Sequence, residues 1–218
     1  MHLYVIRHAQ SLNNALSESQ REDDPGLTDL GHEQASTTAQ WAQTVDLTRL
    51  ISSPFRRTLQ TAQHIRRAVG LKAQVWIDLH EQGGCQHGPD EDSFEGRPGM
   101  TDAQILESFA GFELADPIDH RGWWRSQRYE TVEDSLVRAE RVKQRLHEQF
   151  THTDERVAVV THGTFGKILI ETLLERSPNA PIRGELYNAA VTRFEITPDE
   201  TRMAFYNQIE HMPLSIVS

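Results

Sequence analysis

Short apolar runs separated by polar turns mark the predicted strands of this chain. Val75, Ile77 and Leu79 recur at every second position, which predicts a strand over 75–79. Continuous apolar runs are typical of strands covered on both faces, as in a parallel sheet. Further strands are accordingly predicted over residues 2–6, 50–52, 156–161, 191–196 and 202–206.

The segments between these strands carry apolar residues at helical spacing. Amphipathic helices are predicted over residues 29–43, 53–69, 132–150 and 165–173. Ser53 followed by Pro54 is typical of a helix start, with a capping side chain and then a proline in the first turn. Strands alternating with helices predict an α/β fold, a three-layer α/β/α sandwich with a mostly parallel sheet. We expect residues 1–218 to form a single domain.

Residues 85–130 differ from the rest of the chain. Proline and glycine residues interrupt them, and only residues 101–109 have a helical pattern, which opens with a Thr101/Gln104 capping box. We therefore expect a lid-like insertion at about 85–130 that has no core of its own and determines which substrate binds.

Composition and charge narrow the possible partners. The 218 residues are 37% hydrophobic and 25% charged, as in ordinary globular proteins. A formal net charge of -10 repels nucleic acid and anionic lipid, so neither is an expected partner. The single cysteine, Cys85, fits a reducing compartment, and no apolar run is long enough to span a membrane. We expect a cytoplasmic protein whose oligomeric state the sequence leaves open, a homodimer included.

Polar side chains suited to chemistry stand at the ends of the predicted strands. They are Arg7-His8, Ser53, Glu81 and His162. Because ligands of parallel sheets bind outside the carboxyl ends of the strands, we expect these side chains to meet there. Arg56, in the first turn of the helix that opens at Ser53, adds a second guanidinium.

This combination of groups predicts a phosphate site. Guanidinium groups match the oxygens of a phosphoryl group, and the helix N-termini after Ser53 and Gly163 offer backbone N–H groups to an anion. The sequence has no glycine-rich phosphate loop and no spacing typical of a metal site, so we expect neither a metal nor an organic cofactor. A neutral histidine can attack phosphorus while a carboxylic acid protonates the leaving oxygen.

Four segments, in this order, resemble motifs of the histidine phosphatase superfamily, the family of cofactor-dependent phosphoglycerate mutases and related phosphatases. They are LYVIRHAQS at 3–11, LTDLGHEQA at 27–35, SSPFRRTLQTA at 52–62 and VTHG at 160–163. The match spans about residues 3–196, apart from the irregular stretch after Cys85. The resemblance implies a phosphoglycerate mutase-like fold.

The resemblance also implies a role for each matched residue. His8 is the phosphate-accepting nucleophile, and Glu81 is the general acid and base. The residues implied to bind the phosphoryl group or substrate are Arg7, Asn14, Arg56, His162 and Gly163.

Some positions depart from the family pattern or leave a choice open. Ala9 replaces the usual glycine, and Asp134 follows Glu133 where relatives often have serine. Arg57 is interpreted as a solvated neighbour of Arg56, and Glu91 is the next candidate for the acid after Glu81.

The expected function is hydrolysis of a small phosphorylated metabolite through a phosphohistidine on His8. The first alternative is mutase transfer of the phosphoryl group to another hydroxyl. A mutase must shield its phosphohistidine from water, and residues 213–218 offer little cover, although Trp123-Trp124 could provide another shield. The second alternative is a non-catalytic, phosphate-recognising regulatory protein, which would need neither a nucleophile nor an acid.

Overall fold

The structure, a computed structural model, describes residues 1–17, 20–88, 93–176 and 181–218. Seven strands in these ranges form one sheet, and two short strands form a separate ribbon. The sheet strands are β1 (His2–Arg7), β2 (Arg49–Ser52), β3 (Ala73–Val75), β6 (Phe112–Leu114), β7 (Arg156–Thr161), β8 (Val191–Ile196) and β9 (Thr201–Gln208). The ribbon is β4 (Gln86–His87) with β5 (Glu95–Gly96).

Helices connect most of these strands. They are α1 (Leu12–Ala15), α2 (Asp29–Thr44), α3 (Arg56–Val69), α4 (Asp102–Ser108), α5 (Val132–Phe150) and α6 (Gly163–Leu173). Short 3₁₀ helices lie at Ile77–Leu79 and Leu214–Ile216. None of the helices in the described ranges is both long and apolar enough to cross a membrane.

The sheet is mostly parallel, as predicted. Its strand order is β6-β3-β2-β7-β1-β8-β9, and every pair from β6 to β1 is parallel, whereas β8 and β9 add antiparallel pairs at one edge. In the register of the central strands, Arg7 pairs with Thr161 and Ser52 pairs with Val160. The carboxyl ends of β1, β7 and β2 therefore lie side by side.

Helices cover both faces of the sheet, which confirms the three-layer α/β/α architecture. Along β1, Tyr4 and Ile6 pack in one buried cluster with residues of α2 and α3. Leu3 and Val5 pack in another with residues of α5 and α6. Successive residues of a strand point to opposite faces, so a strand covered on both sides is apolar throughout, as in β7.

The predicted strand over 75–79 is wrong in its extent. The strand is Ala73–Val75, and Ile77–Leu79 forms a 3₁₀ turn. The Ile77 N–H donates to a carboxylate oxygen of Asp116 at 2.8 Å instead of joining the sheet. Apolar residues two apart fit this buried turn as well as a strand, so the alternation alone could not separate them.

The segment at 85–130 contributes to the body of the protein. Phe112–Leu114 is the edge strand β6, paired in parallel with β3, and no pattern in the sequence predicted it. Ile105, Phe109 and Trp123 are buried in the same cluster as the strands and α3. Pro89 and Glu91 lie outside the described residues.

Candidate active site

The carboxyl ends of the three central strands bring two imidazoles and one hydroxyl together. The His8 N–H donates to the carbonyl of Thr161 at 2.8 Å, and the Ser53 N–H donates to that of Val160 at 3.0 Å. The ring centroids of His8 and His162 are 5.2 Å apart, and both rings are buried. The predicted meeting of these side chains is therefore present.

His8 is oriented so that one ring nitrogen carries the hydrogen and the other carries the lone pair. Its Nδ1 lies 2.7 Å from the carbonyl oxygen of Ala9, and because a carbonyl only accepts, Nδ1 carries the hydrogen. Nε2 then holds the lone pair, and Arg57 Nε donates to it at 3.2 Å. Burial, followed by the charges of Arg57 and Arg7, holds the pKa of His8 well below its usual 6.5. A neutral imidazole with its lone pair on Nε2 is the form that can act as a nucleophile.

The arginine in contact with His8 is Arg57, which corrects the assignment of Arg56. Arg57 is buried, 9% exposed, and its guanidinium also lies 4.2 Å from the centroid of Phe55. Arg56 is half-buried, and its backbone N–H donates to Asp24. Helix α3 begins at Arg56 rather than at Ser53-Pro54. Successive helical residues point about 100° apart, so a small error in the helix start selects the wrong arginine.

Asp24 is a half-buried residue whose carboxyl group lies beside this arginine. Its Oδ1 accepts from the Arg56 N–H at 2.7 Å, at the start of α3, and its Oδ2 is buried without a hydrogen-bond partner among the described residues. Burial raises the pKa of Asp24 to about 6, against the opposing effect of the Arg57 charge. Sequence reasoning passed over this residue.

The hydroxyl of Ser53 is hydrogen-bonded to His162. Ser53 Oγ lies 2.8 Å from His162 Nε2 and accepts a longer bond from the Phe55 N–H at 3.4 Å. A serine hydroxyl can donate as well as accept, and we assign its hydrogen to His162 Nε2, which places the imidazole hydrogen on Nδ1. That Nδ1 is buried with no partner in the described ranges. Burial also keeps the pKa of His162 well below 6.5, so the ring is neutral. Its Nδ1–H can donate one further hydrogen bond.

Arg7 carries a second unfilled donor. One of its terminal nitrogens donates to the carbonyl of Leu186, whereas its Nε is buried without a partner among described residues. A Cβ on Gly163 would lie 3.3 Å from Arg7 Nε, so glycine at this position lets the guanidinium lie against the start of α6. Arg7 Nε and His162 Nδ1 are both suited to a phosphoryl oxygen.

Glu81 occupies the N-terminus of α6. Its Oε1 accepts from the N–H groups of Phe165 at 2.8 Å and Gln82 at 2.9 Å, and its Oε2 accepts from Thr164 N–H at 3.3 Å. We expected the N–H groups after Gly163 to be free for an incoming anion. Those of Thr164 and Phe165 are instead taken by this carboxylate, which is thereby fixed at the site.

Two open cavities meet at Glu81. One, of about 430 Å³, is lined by residues that include Arg7, Asn14, Glu81 and Gly163. The other, of about 450 Å³, is lined by residues that include Glu81 and Arg57. Four of the predicted site residues thus line one cavity, while His8 and His162 are buried. Either cavity is large enough for a small organic molecule.

The two departures from the family pattern leave the site intact. The methyl of Ala9 is buried in a cluster with Leu27 and Ala35, and the Ala9 N–H donates to Thr61 Oγ1 at 3.1 Å. Asp134 lies in the first turn of α5, where its N–H donates to Thr131 Oγ1 at 3.1 Å.

A pattern in the sequence could have pointed to Arg57. Arg57 and Thr61 are four residues apart and so share one face of α3. Thr61 holds the backbone of Ala9, and Arg57 holds the ring of His8, so this face is the one that meets the His8 loop.

Across the described residues, no group of three or more His, Cys, Asp or Glu side chains is arranged to hold a metal ion.

Comparison with known proteins agrees with this geometry. A sequence profile of the histidine phosphatase superfamily (branch 1) matches residues 3–209. A protein of Erwinia tasmaniensis named "Probable phosphoglycerate mutase GpmB" is 25% identical over 204 residues, which cover 89% of this chain and 85% of that protein. A mycobacterial glucosyl-3-phosphoglycerate phosphatase, solved with VO₃, is similar in structure, with a TM-score of 0.68, 25% identity and coverage of 94% and 98% of the two chains.

A further solved structure, YhfR of Bacillus stearothermophilus, shares the fold. It has a TM-score of 0.68 and 22% identity, and the match covers 96% of this chain and 98% of that one. The profile match extends over nearly the whole sequence and includes both buried histidines. The chain belongs to the histidine phosphatase superfamily.

Proposed function

We propose that the protein is a phosphomonoesterase that transfers the phosphoryl group of a small metabolite to Nε2 of His8 and then to water. The observation that carries this proposal is the state of His8. Its Nδ1–H is committed to the Ala9 carbonyl, and its Nε2 lone pair faces a guanidinium. A site for recognition alone would not need a neutral histidine held in this way.

The reaction proceeds in two balanced displacements. In the first, His8 Nε2 attacks phosphorus, the P–O ester bond breaks, and Glu81 gives its proton to the leaving oxygen. In the second, Glu81 takes a proton from water, the oxygen of that water attacks phosphorus, and the P–N bond breaks. The products are the alcohol and inorganic phosphate, and His8 returns to its neutral form.

Positive charge and fixed donors stabilise the phosphoryl group during both steps. Arg7 Nε and His162 Nδ1 have no partner among the described residues, and the Arg57 guanidinium is already beside His8. Donors held in place before the reaction stabilise developing negative charge most effectively. We therefore expect no metal requirement: chelators should leave the rate unchanged, and restoration of a chelated enzyme by Mg²⁺ would contradict this.

Trapping the intermediate tests the proposal. A brief reaction with a radiolabelled phosphomonoester, stopped with alkali, should leave one acid-labile phosphoryl group on His8, and His8→Ala should lose both the label and turnover. His152→Ala is the matched control, because this histidine is exposed after α5. Turnover or retained label in His8→Ala would overturn the assignment. Absence of label and of turnover in both the wild type and His8→Ala would instead favour the phosphate-recognising alternative.

Mutase transfer is the second candidate, and the names of the relatives from Erwinia and Yersinia favour it. Against it, the C-terminal residues pack away from the cavities: Ile216 is buried with Leu27 and Ala35, and its carbonyl accepts from Gln34 Nε2 at 2.7 Å. The Trp123-Trp124 pair is buried rather than placed as a cover. The rate of inorganic phosphate release should exceed the rate at which phosphoglycerate is isomerised with bisphosphoglycerate as primer. An isomerisation rate tenfold above the rate of phosphate release would make the protein a mutase.

A further inference from the structure

The larger of the two cavities extends from Glu81 and Arg57 to a pair of stacked aromatic rings. Phe94 and Tyr129 line it, with ring centroids 5.4 Å apart and an interplanar angle of 29°. Both side chains are half-buried, so each ring keeps some surface toward the cavity. The volume of about 450 Å³ is far more than a phosphoryl group fills, which leaves room for the alcohol part of a substrate.

Tyr129 is fixed relative to the acid. Gly83 has φ +93°, and a Cβ there would lie 2.5 Å from Tyr129 Cε2, so the ring rests directly on the backbone two residues after Glu81. Gln82 Nε2 donates to Tyr129 Oη at 3.1 Å and to the carbonyl of Glu130 at 2.8 Å. Tyr129 is therefore held on the turn that follows Glu81, and both residues line the same cavity.

The charges around the cavity do not suit a second anion. Apart from Arg57 and Glu81, the charged residues among its described lining are Arg21, Glu22 and Asp23. Asp23 is also paired with His87, at 2.7 Å. Arg97 lies 3.7 Å from the same carboxylate, so Arg21 and Arg97 together balance Glu22 and Asp23. This end of the cavity therefore has no excess of positive charge for a leaving group that carries its own carboxylate.

We propose that the natural substrates are phosphomonoesters of uncharged alcohols that carry a planar aromatic ring, and that the Phe94–Tyr129 pair selects them by packing against that ring. This inference rests on the proposed function and adds the class of leaving group to it. Aryl-alkyl alcohols and nucleosides share this chemistry, and the two are separated by the test below.

The test compares esters with leaving groups of similar reactivity. Benzyl phosphate carries the planar ring, cyclohexylmethyl phosphate carries a puckered ring of the same size, and glycerol 3-phosphate carries none. An aromatic pair contributes enough to favour benzyl phosphate over cyclohexylmethyl phosphate by about 3- to 10-fold in kcat/KM. 3-Phosphoglycerate should be the poorest substrate, and a nucleoside 5′-monophosphate better than benzyl phosphate would identify nucleosides as the source.

Variants assign the effect to the two rings. Phe94→Leu should raise KM for benzyl phosphate by about 3- to 10-fold and leave kcat/KM for glycerol 3-phosphate within about twofold. Tyr129→Leu should do the same, whereas Tyr129→Phe should keep the preference. Phe205→Leu, the same change on β9, is the control.

Equal kcat/KM for benzyl and cyclohexylmethyl phosphates, or a preference unchanged in Phe94→Leu and Tyr129→Leu, would overturn the inference while phosphatase activity remained. A preference for 3-phosphoglycerate would overturn it as well. Failure of every ester, with no label on His8, would instead overturn the proposed function.

Discussion

A buried ion pair supports the backbone that carries Glu81, and breaking it should affect both stability and catalysis. Arg138 on α5 is 2% exposed, and its guanidinium binds both carboxylate oxygens of Glu130, at 2.7 and 2.5 Å. Its remaining terminal nitrogen donates to the carbonyls of Asp78 and His80, at 2.7 and 3.0 Å. The backbone just before Glu81 is thus held by Arg138.

The partner of this arginine holds the other side of the same turn. The Glu130 N–H donates to the carbonyl of Gly83 at 3.1 Å. The guanidinium of Arg138 also lies 3.7 Å from the centroid of Phe165, whose N–H binds Glu81. The backbone before Glu81 is therefore hydrogen-bonded to Arg138, and the backbone after it is hydrogen-bonded to Glu130.

The expected cost of Arg138→Met follows from these contacts. The variant leaves the Glu130 carboxylate buried without its partner and removes the donor to two carbonyls, so it should lower the free energy of unfolding by about 3–5 kcal/mol. Arg138→Met combined with Glu130→Leu should cost less than the sum of the single changes, because no charge is then left unpaired. Urea unfolding followed by tryptophan fluorescence measures each value.

The catalytic consequence has a distinct signature. Loss of support at Glu81 should reduce kcat for glycerol 3-phosphate by at least about tenfold, and at most by the roughly 10²–10⁴-fold that a general acid contributes. It should affect p-nitrophenyl phosphate much less. Arg141→Met is the control, since Arg141 lies on the same helix and contacts Asp78 in an exposed pair, which is worth at most about 1 kcal/mol. Arg138→Met within about 1 kcal/mol of the wild type, with unchanged kcat on both esters, would refute the reasoning.

Three further variants test individual groups. Glu81→Gln should cut turnover of alkyl phosphates by about 10²–10⁴-fold but slow p-nitrophenyl phosphate much less, and equal losses would point to another acid. Ser53→Ala removes the 2.8 Å contact with His162, so KM should rise by about 3- to 10-fold and Ser53→Thr should restore it; an unchanged KM in Ser53→Ala would contradict the assigned tautomer. Asp24 has a folded-state pKa of about 6, above its unfolded value of 3.8, so the folded state binds the extra proton and stability from this group falls as pH rises. Between pH 5 and 8 that loss is about 1.4 kcal/mol, and it should be absent in Asp24→Asn when urea unfolding is measured at both values. The buried histidines shift stability in the opposite direction in both proteins, so the comparison isolates Asp24.

The parts of the fold that the sequence predicts well are those in which burial dictates the pattern. β7 and β1 are covered on both faces and must be apolar throughout, and α5 shows one buried stripe over its whole length. The three-residue strand β6 is too short to leave a pattern of its own. Its place in the sheet is set by pairing with β3, a strand that lies far from β6 along the chain.

The sequence predicts that the candidate site lies at the strand ends. It does not predict the direction in which each side chain points. His8 and His162 directly follow strands, so the strand pattern alone places them. The choice between Arg56 and Arg57 depends on the turn of α3, and that turn is set by Asp24, more than thirty residues earlier. The spacing of Arg57 and Thr61 marks one face of α3, but the pattern by itself does not show that this face meets the His8 loop.

The position of Glu81 explains how one small site can hold an acid and a phosphoryl group together. Its carboxylate binds the N–H groups of Thr164 and Phe165, and His162, with its open Nδ1, immediately precedes this helix. Arg7 lies against Gly163 at the same helix end. The acid and two of the phosphoryl-binding donors therefore meet at the N-terminus of α6, although they come from three segments of the chain. The N–H groups of Thr164 and Phe165 hold the Glu81 carboxylate against this helix end, so the distance between the leaving oxygen and its acid is set by these contacts.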